Sequence, residues 1–256
     1  MKDPIEYNVR AVERALQILG CFDDEHPERG VSEIAQEVNL HKATTHRIVT
    51  TLVNYGFLER ATDGQKYRLG LELTALGLKV LRRMDLRREA LPSMRMLVER
   101  WDEACDLSVF DQGKVFYIEV IQGSHALTIV ATAGQRLPAH STASGKIFLA
   151  HLPTSELEDF LNGPLVAYTG KTLTSPEKIR QQLAEIRTQG YSVDDQETEV
   201  GIRAVAAPIR DQTGKVVAAM SMPCPSSRMT IDRVPEIARD LIDATQVVSR
   251  RMGWFK

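Results

Sequence analysis

The chain has 256 residues, which at roughly 150 residues per domain points to two modest domains. Charged residues make up 26% and hydrophobic residues 43%, values that exclude a disordered chain, a collagen-like repeat and a coiled-coil rod. The formal net charge of −2 neither favours nor excludes a nucleic-acid partner. No apolar run approaches the ~18 residues of a membrane span, and residues 1–6 lack the apolar stretch of a signal peptide. Cys21, Cys105 and Cys224 are far apart, odd in number and form no CxxC pair, which fits a reducing compartment. The expectation is a cytoplasmic protein with no membrane partner.

The first helix is expected over 9–22, where Val12, Ala15, Leu16, Leu19 and Phe22 recur at spacings of three and four. An acidic loop with Pro27 and Gly30 follows, and Ser32 is a candidate N-cap for a short helix carrying Ile34, Ala35 and Val38. Asn39 and Leu40 make a turn. A third helix then runs from about 41 or 42 to 55, with Ile48, Val49, Leu52 and Val53 inward and Gly56 as its stop. Its first half is polar, with Lys42, Thr44, Thr45, His46 and Arg47 presented to solvent. Two short strands at 57–61 and 66–69 flank an Asp63-Gly64 pair, a strong hairpin signal.

Helix, helix, turn, helix and hairpin is the winged helix-turn-helix order. Between 41 and 68, Lys42, Arg47, Arg60, Lys66 and Arg68 outnumber Glu59 and Asp63. Such a basic patch is either the footprint of a DNA-binding element or a solvated face. On the first reading Lys42, Thr44, Thr45, His46 and Arg47 meet the major groove, while Arg60, Lys66 and Arg68 on the wing meet backbone or minor groove. His46 sits either at the DNA edge or under the turn.

Leu73, Leu76, Val80 and Met84 carry the pattern onward as a linker helix over 71–85, forming a seam against either a partner chain or the chain's own second domain. The domain reading is therefore 1–70, a linker over 71–85, and 86–256. The second domain opens with a helix through Arg95, Leu97, Val98 and Trp101, then strands near 106–110, 115–121 and 127–133. Helices follow near 144–151, at 155–161 with a Ser155/Glu158 capping box, and at 176–189 with Ser175 as cap and Gly190 as stop. Strands near 191–196, 204–209 and 216–222 and a last helix over 231–251 complete an α+β domain with an antiparallel sheet.

The whole chain resembles the IclR family of bacterial transcription regulators. Val31-Ser32-Glu33-Ile34-Ala35, Thr44-Thr45-His46-Arg47-Ile48 and Leu52-x-x-Tyr55-Gly56-Phe57-Leu58 look like its helix-turn-helix, and Tyr67-Arg68-Leu69-Gly70 like the exit of its wing. The stretch from Leu137 to Lys146, the Gly190-Tyr191 to Asp194-Asp195 segment and the run from Gly201 to Pro208 look like its effector-domain signatures. The resemblance implies a GAF-like ligand domain, double-stranded operator DNA as partner, homodimers often paired into tetramers, and control of catabolic operons by a small organic acid. It implies that the acid's carboxylate meets the backbone amides of Ala143 and Ser144, where a helix begins, consistent with anion binding at helix N-termini. Ser144 would add a hydroxyl, and Asp194 and Ser221 would orient the other oxygens. Two positions depart from the family: Ala204 stands for a cysteine and Pro223 for a pocket serine. A less polar pocket is expected, suited to a larger or more apolar acid such as an aromatic one.

Other chemistry fits less well. The Walker pattern would need Gly in place of His140 and Ser or Thr in place of Ile147. The nucleophile elbow would need Gly in place of Thr142 and Lys146. No HxxxH pair occurs, and His125 and His140 are read first as hydrogen-bonded histidines and only second as metal ligands. An enzyme reading must rely on Asp194 and Asp195, which point to opposite faces of one strand. The expectation is a regulator without catalytic residues, cofactor or metal; the competing readings are a second domain that binds a protein partner and an enzyme with an accessory first domain.

Overall fold

In the computed structural model, residues 9–23, 25–62, 64–83, 85–125 and 131–255 are described, without the side chains of 78–83 and 85. They form two compact units, one ending at Arg83 and one made of the remainder.

The first unit packs three helices, α1 (Arg10–Leu19), α2 (Val31–Glu37) and α3 (Lys42–Asn54), with a small antiparallel sheet of β1 (Arg29–Gly30), β2 (Leu58–Arg60) and β3 (Lys66–Leu69). The order is β1-β3-β2, with Leu58 opposite Leu69 and Arg60 opposite Tyr67. The two-residue β1, unforeseen in the sequence, pairs Arg29 with Tyr67. Ile18, Phe22, Ile34, Val49, Leu52, Leu58 and Tyr67 form the core. Asn39 takes φ 51° in the turn between α2 and α3, a conformation Asn tolerates better than most residues.

Two local expectations shift. Helix α2 begins at Val31 rather than after Ser32, because the Gly30 amide donates to the Glu33 carboxylate at 2.6 Å and so closes the first turn one step earlier. The predicted apolar face of α1 is only partly inward. Ile18 is fully buried, whereas Val12 and Leu16 are 57% and 64% exposed. Helix α4 (Leu71–Arg83) follows Gly70, where a Cβ would stand 2.2 Å from the Gly56 carbonyl oxygen, so only glycine lets the two segments approach. In the proposed seam Leu76 is exposed and Leu73 half-buried; Val80 and Met84 lie outside the described side chains.

The second unit is a six-stranded antiparallel sheet ordered β6-β5-β4-β9-β8-β7 with helices on both faces. Its strands are β4 (Cys105–Asp111), β5 (Lys114–Ile121), β6 (Arg136–Pro138), β7 (Ser192–Asp195), β8 (Ile202–Arg210) and β9 (Val216–Pro225). The expected strand over 127–133 falls mostly outside the described residues, and the edge strand observed is β6. Helices α5 (Asp85–Trp101) and α9 (Val234–Arg251) cover one face; α6 (Ala143–His151), α7 (Thr154–Leu161) and α8 (Pro176–Gln189) lie with the other core. The α+β reading holds. Helix α7 lacks the expected Ser155 cap: it starts after Pro153, and Glu158 is drawn instead to Arg180 of α8 at 2.6 Å.

Strand alternation sorts the cores. Val205, Ala207 and Ile209 of β8 with Met220 and Met222 of β9 pack toward α5 and α9, where Leu97, Leu241 and Val248 meet them. Ala204, Ala206 and Ala219 pack with Ile147 and Leu183 on the opposite side. The same alternation puts Asp106, Asp194, Ser221 and Pro223 on the α6 side, around a cavity.

Candidate nucleic-acid interface and effector pocket

Helix α3 is capped by His41, whose ring Nδ1 accepts from the Ala43 amide at 3.4 Å. Its first turns leave Lys42, His46 and Arg47 exposed and Thr44 half-buried. Thr45, grouped with them from sequence, must be corrected: it is fully buried. It lies four residues before Val49 and seven before Leu52, on the core stripe, and its hydroxyl donates to the His41 carbonyl at 3.4 Å. His46 is at the solvent edge and not under the turn. His46 and Arg47 share an open groove with Arg10 and Arg14 of α1. Those two arginines escaped the sequence reading, although their i, i+4 spacing on the polar side of α1 was visible.

On the wing, Lys66 is exposed and Arg60 donates to the Gly64 carbonyl at 2.9 Å while its guanidinium lies 5.3 Å from the Tyr67 ring centre. Arg68 pairs with Glu59 at 2.6 Å. These contacts hold the two guanidiniums on a defined β surface.

In the second unit, the Thr142 hydroxyl caps α6, accepting from the Gly145 amide at 3.2 Å and donating to the Pro138 carbonyl at 2.9 Å. The first intrahelical bond comes from Lys146 to the Thr142 carbonyl. The amides of Ala143 and Ser144 therefore precede the ladder and have no acceptor among the described residues. The Ser144 hydroxyl is buried without a partner. A cavity of about 180 Å³ opens at this point.

Ala143, Ser144, Asp194, Ala204 and Ser221, the five pocket positions from the sequence, all line this cavity. The structure adds Asp106 of β4 and Tyr117 of β5, on neighbouring strands whose pairing was not legible in the sequence. Asp106 stands across from Ser221 in the β4–β9 register, and Asp194 across from Ala204 in β7–β8. The polar groups absent at Ala204 and Pro223 are thus offset by two that the sequence reading had not singled out.

Burial pushes the Asp106 carboxyl up to about 7, against the opposing hydrogen bond from Ser221. Burial also raises Asp194, opposed by the Glu197 amide at 2.7 Å. The Tyr117 phenol is pushed up by burial and by both carboxylates, so it remains an O–H donor. Asp195, on the other face, is held down at about 2: burial works against this, but hydrogen bonds from Lys171 and Arg203 prevail. Behind the pocket, buried Lys146 donates to the Val193 carbonyl at 2.9 Å and pairs with Glu197. The Ser192 hydroxyl donates to the Ala143 carbonyl at 2.6 Å, fastening the start of α6 to β7. His140 contacts the Val166 carbonyl at 2.9 Å, the hydrogen-bonded role first assigned to it.

A winged helix-turn-helix and a second domain with a pocket that carries several polar groups define a ligand-responsive DNA-binding regulator. The family model described as the IclR helix-turn-helix domain matches residues 11–62, and that described as the bacterial transcriptional regulator IclR C-terminal domain matches residues 78–250. The chain belongs to the IclR family of bacterial transcriptional regulators. It is 34% identical over 247 residues to the HTH-type transcriptional regulator XynR of Escherichia coli (strain K12), covering 96% of this chain and 98% of that one. It is 32% identical over 256 residues to the transcriptional repressor IclR of the same organism, covering 99% and 93%. Among solved structures, an IclR homologue from Microbacterium hydrocarbonoxydans complexed with 4-hydroxybenzoate is similar at a TM-score of 0.86 and 30% identity, covering 94% and 98%. These relatives are transcription regulators and not enzymes. Among the described residues no helix is long and apolar enough to cross a membrane.

Proposed function

We propose that this regulator binds a near-palindromic operator as a homodimer, pairs into tetramers on DNA, and responds in the cytoplasm to a small organic acid that signals a catabolic operon. The observation that carries the effector reading is the buried, unpartnered Ser144 hydroxyl beside the open amides of Ala143 and Ser144. A carboxylate there would meet three donors and the positive end of α6. Asp194 and Ser221 would face its other oxygens, and Ala204 would leave room. The 4-hydroxybenzoate of the Microbacterium neighbour supports an acid as ligand.

On the DNA side, Lys42, Thr44, His46 and Arg47 enter the major groove, and Arg60, Lys66 and Arg68 hold the flanking backbone. Val9, at the cap of α1, and Val12 and Leu16 within it support the dimer: they recur at spacings of three and four and are all more than half exposed, an apolar stripe that a second copy would cover. The linker helix α4, placed between the two parts of the chain, carries the response, and the acid shifts the DNA-binding equilibrium by favouring one arrangement of protomers over another.

The test is selection of bound duplexes from random DNA by the purified chain at two salt concentrations, repeated with a panel of carboxylic acids that includes 4-hydroxybenzoate. Enrichment of a palindrome that an acid releases or tightens supports the reading. Binding that merely fades with salt and ignores every acid overturns it.

A further inference from the structure

Helix α6 has a cavity at each end. At its last residue, His151, one of about 340 Å³ lies between the helix end, the start of α7 and the ends of β4 and β9, against about 180 Å³ for the cavity at Ala143 and Ser144. Its walls are apolar: Phe110 and Phe148 form a tilted pair with ring centres 5.6 Å apart, and Val217 lies beside them. His151 adds a third flat ring in a fixed state. The Ile147 carbonyl can only accept, so Nδ1 donates to it at 2.8 Å; the Arg210 guanidinium can only donate, so Nε2 accepts from it at 2.8 Å. Burial, which lowers the pKa of this imidazole, keeps it neutral. The rim carries one charge of each sign. Glu156, in the first turn of α7, and Lys215, just before β9, both line the cavity and are exposed, and neither carboxylate nor ammonium has a hydrogen bond or ion pair among the described residues. Asp211, whose carboxylate feels the Lys215 charge, is already held by the amides of Thr213 and Lys215 and by the Thr213 hydroxyl.

We infer that this cavity is a second small-molecule site, which takes an amino acid with an aromatic side chain. The ring lies among Phe110, Phe148 and His151, the carboxylate meets Lys215 and the ammonium meets Glu156. A plain carboxylic acid answers Lys215 but is repelled by Glu156, and a plain amine meets the reverse; a zwitterion matches both signs. An aromatic ring gains from offset or edge contacts with the rings already there, beyond the area it buries. The volume lies at the lower end of the ~300–1,000 Å³ of small-molecule pockets, which suits a compact ligand. The site does not depend on the organic-acid reading, because the two cavities share no lining residue. They are joined by α6, buried from Ala143 to Ala150, so a ligand at one end bears on the helix whose other end faces the first cavity.

Calorimetric titration of the full chain with L-phenylalanine, 3-phenylpropionate, 2-phenylethylamine and L-alanine tests this. Phenylalanine should bind about threefold or more tightly than each of the other three, which lack the ammonium, the carboxylate and the ring in turn. Lys215→Gln should bring phenylalanine down toward phenylethylamine, and Glu156→Gln should bring it down toward phenylpropionate. Both positions are exposed, so the melting temperature without ligand should stay as it was. Ser144→Ala should leave phenylalanine binding unchanged. No binding of phenylalanine, equal binding of phenylpropionate or phenylethylamine, or an affinity that survives both glutamine variants overturns the inference. Loss of phenylalanine binding on Ser144→Ala alone places the amino acid in the first cavity and overturns it as well. None of these outcomes removes the organic-acid reading.

Discussion

Asp106 of β4 and Ser221 of β9 face each other across antiparallel strands, and the serine hydroxyl donates to the carboxyl at 2.5 Å. Residues 115 positions apart in sequence thus form one wall of a cavity whose opposite wall is the first turn of α6.

This pair gives a pH dependence of known sign. Burial raises the folded-state value of Asp106 from 3.8 to about 7, so between those values the folded chain holds a proton that the unfolded chain has released. Stability contributed by the site is present below about pH 4 and declines as pH rises toward about 7, on the order of a few kcal/mol in all. Asp194, also raised by burial, adds in the same direction. Thermal unfolding followed from pH 5 to pH 8 should show a melting temperature that falls with pH, and Asp106→Asn should flatten the slope. An unchanged slope would place Asp106 in contact with water.

Gly145 is the third residue of α6, and a Cβ there would stand 2.2 Å from the Ala139 carbonyl oxygen. Gly145→Ala should therefore push the start of α6 away from the loop before it, at a cost of about 1–3 kcal/mol. Urea unfolding measures the loss, and acid binding should weaken in the same variant because the Ala143 and Ser144 amides move with the helix.

Lys146 and Glu197 are both nearly inaccessible. Lys146→Met leaves the Glu197 carboxylate buried without its cation, and a destabilisation of about 3–5 kcal/mol is expected. Lys146→Met combined with Glu197→Gln should recover part of that loss. If the double variant is as unstable as the sum of the singles, the two side chains do not act as a pair.

Arg47 and Thr45 sit two residues apart on α3 with opposite surroundings, exposed and buried. Arg47→Ala should weaken operator binding by about 1–3 kcal/mol if the guanidinium reads a guanine edge, with stability unchanged. Thr45→Ala should lower the unfolding free energy instead and leave the salt dependence of DNA binding as it was. Fluorescence anisotropy on the selected duplex across a salt series, beside urea unfolding, separates the two effects.

Much of this was open to reading in the chain. The Asp63-Gly64 pair marked the wing, and Ser175 and Gly190 marked the ends of α8. Thr45 was misplaced because a threonine suits both a polar surface and a helix core, and only the phase relative to Val49 and Leu52 separates them. The outward face of α1 was misjudged for a similar reason: periodicity identifies an apolar stripe without saying what covers it. Asp106 and Tyr117 gave no local signal, since an acid and a tyrosine in alternating strands look like ordinary solvent-side residues until strand order is known.

Local chemistry, acting over a few residues, was enough to mark the winged helix-turn-helix and the two-part organisation, while the helix start at Ala143 and Ser144 was singled out by the family resemblance. The tertiary structure alone decided which side chains share the cavity with that helix start. Antiparallel pairing places β9 between β4 and β8, and with β7 and β5 at its flanks this brings Asp106, Ser221, Asp194 and Tyr117 to one face. Strand order depends on contacts between distant segments, which no spacing along the chain encodes.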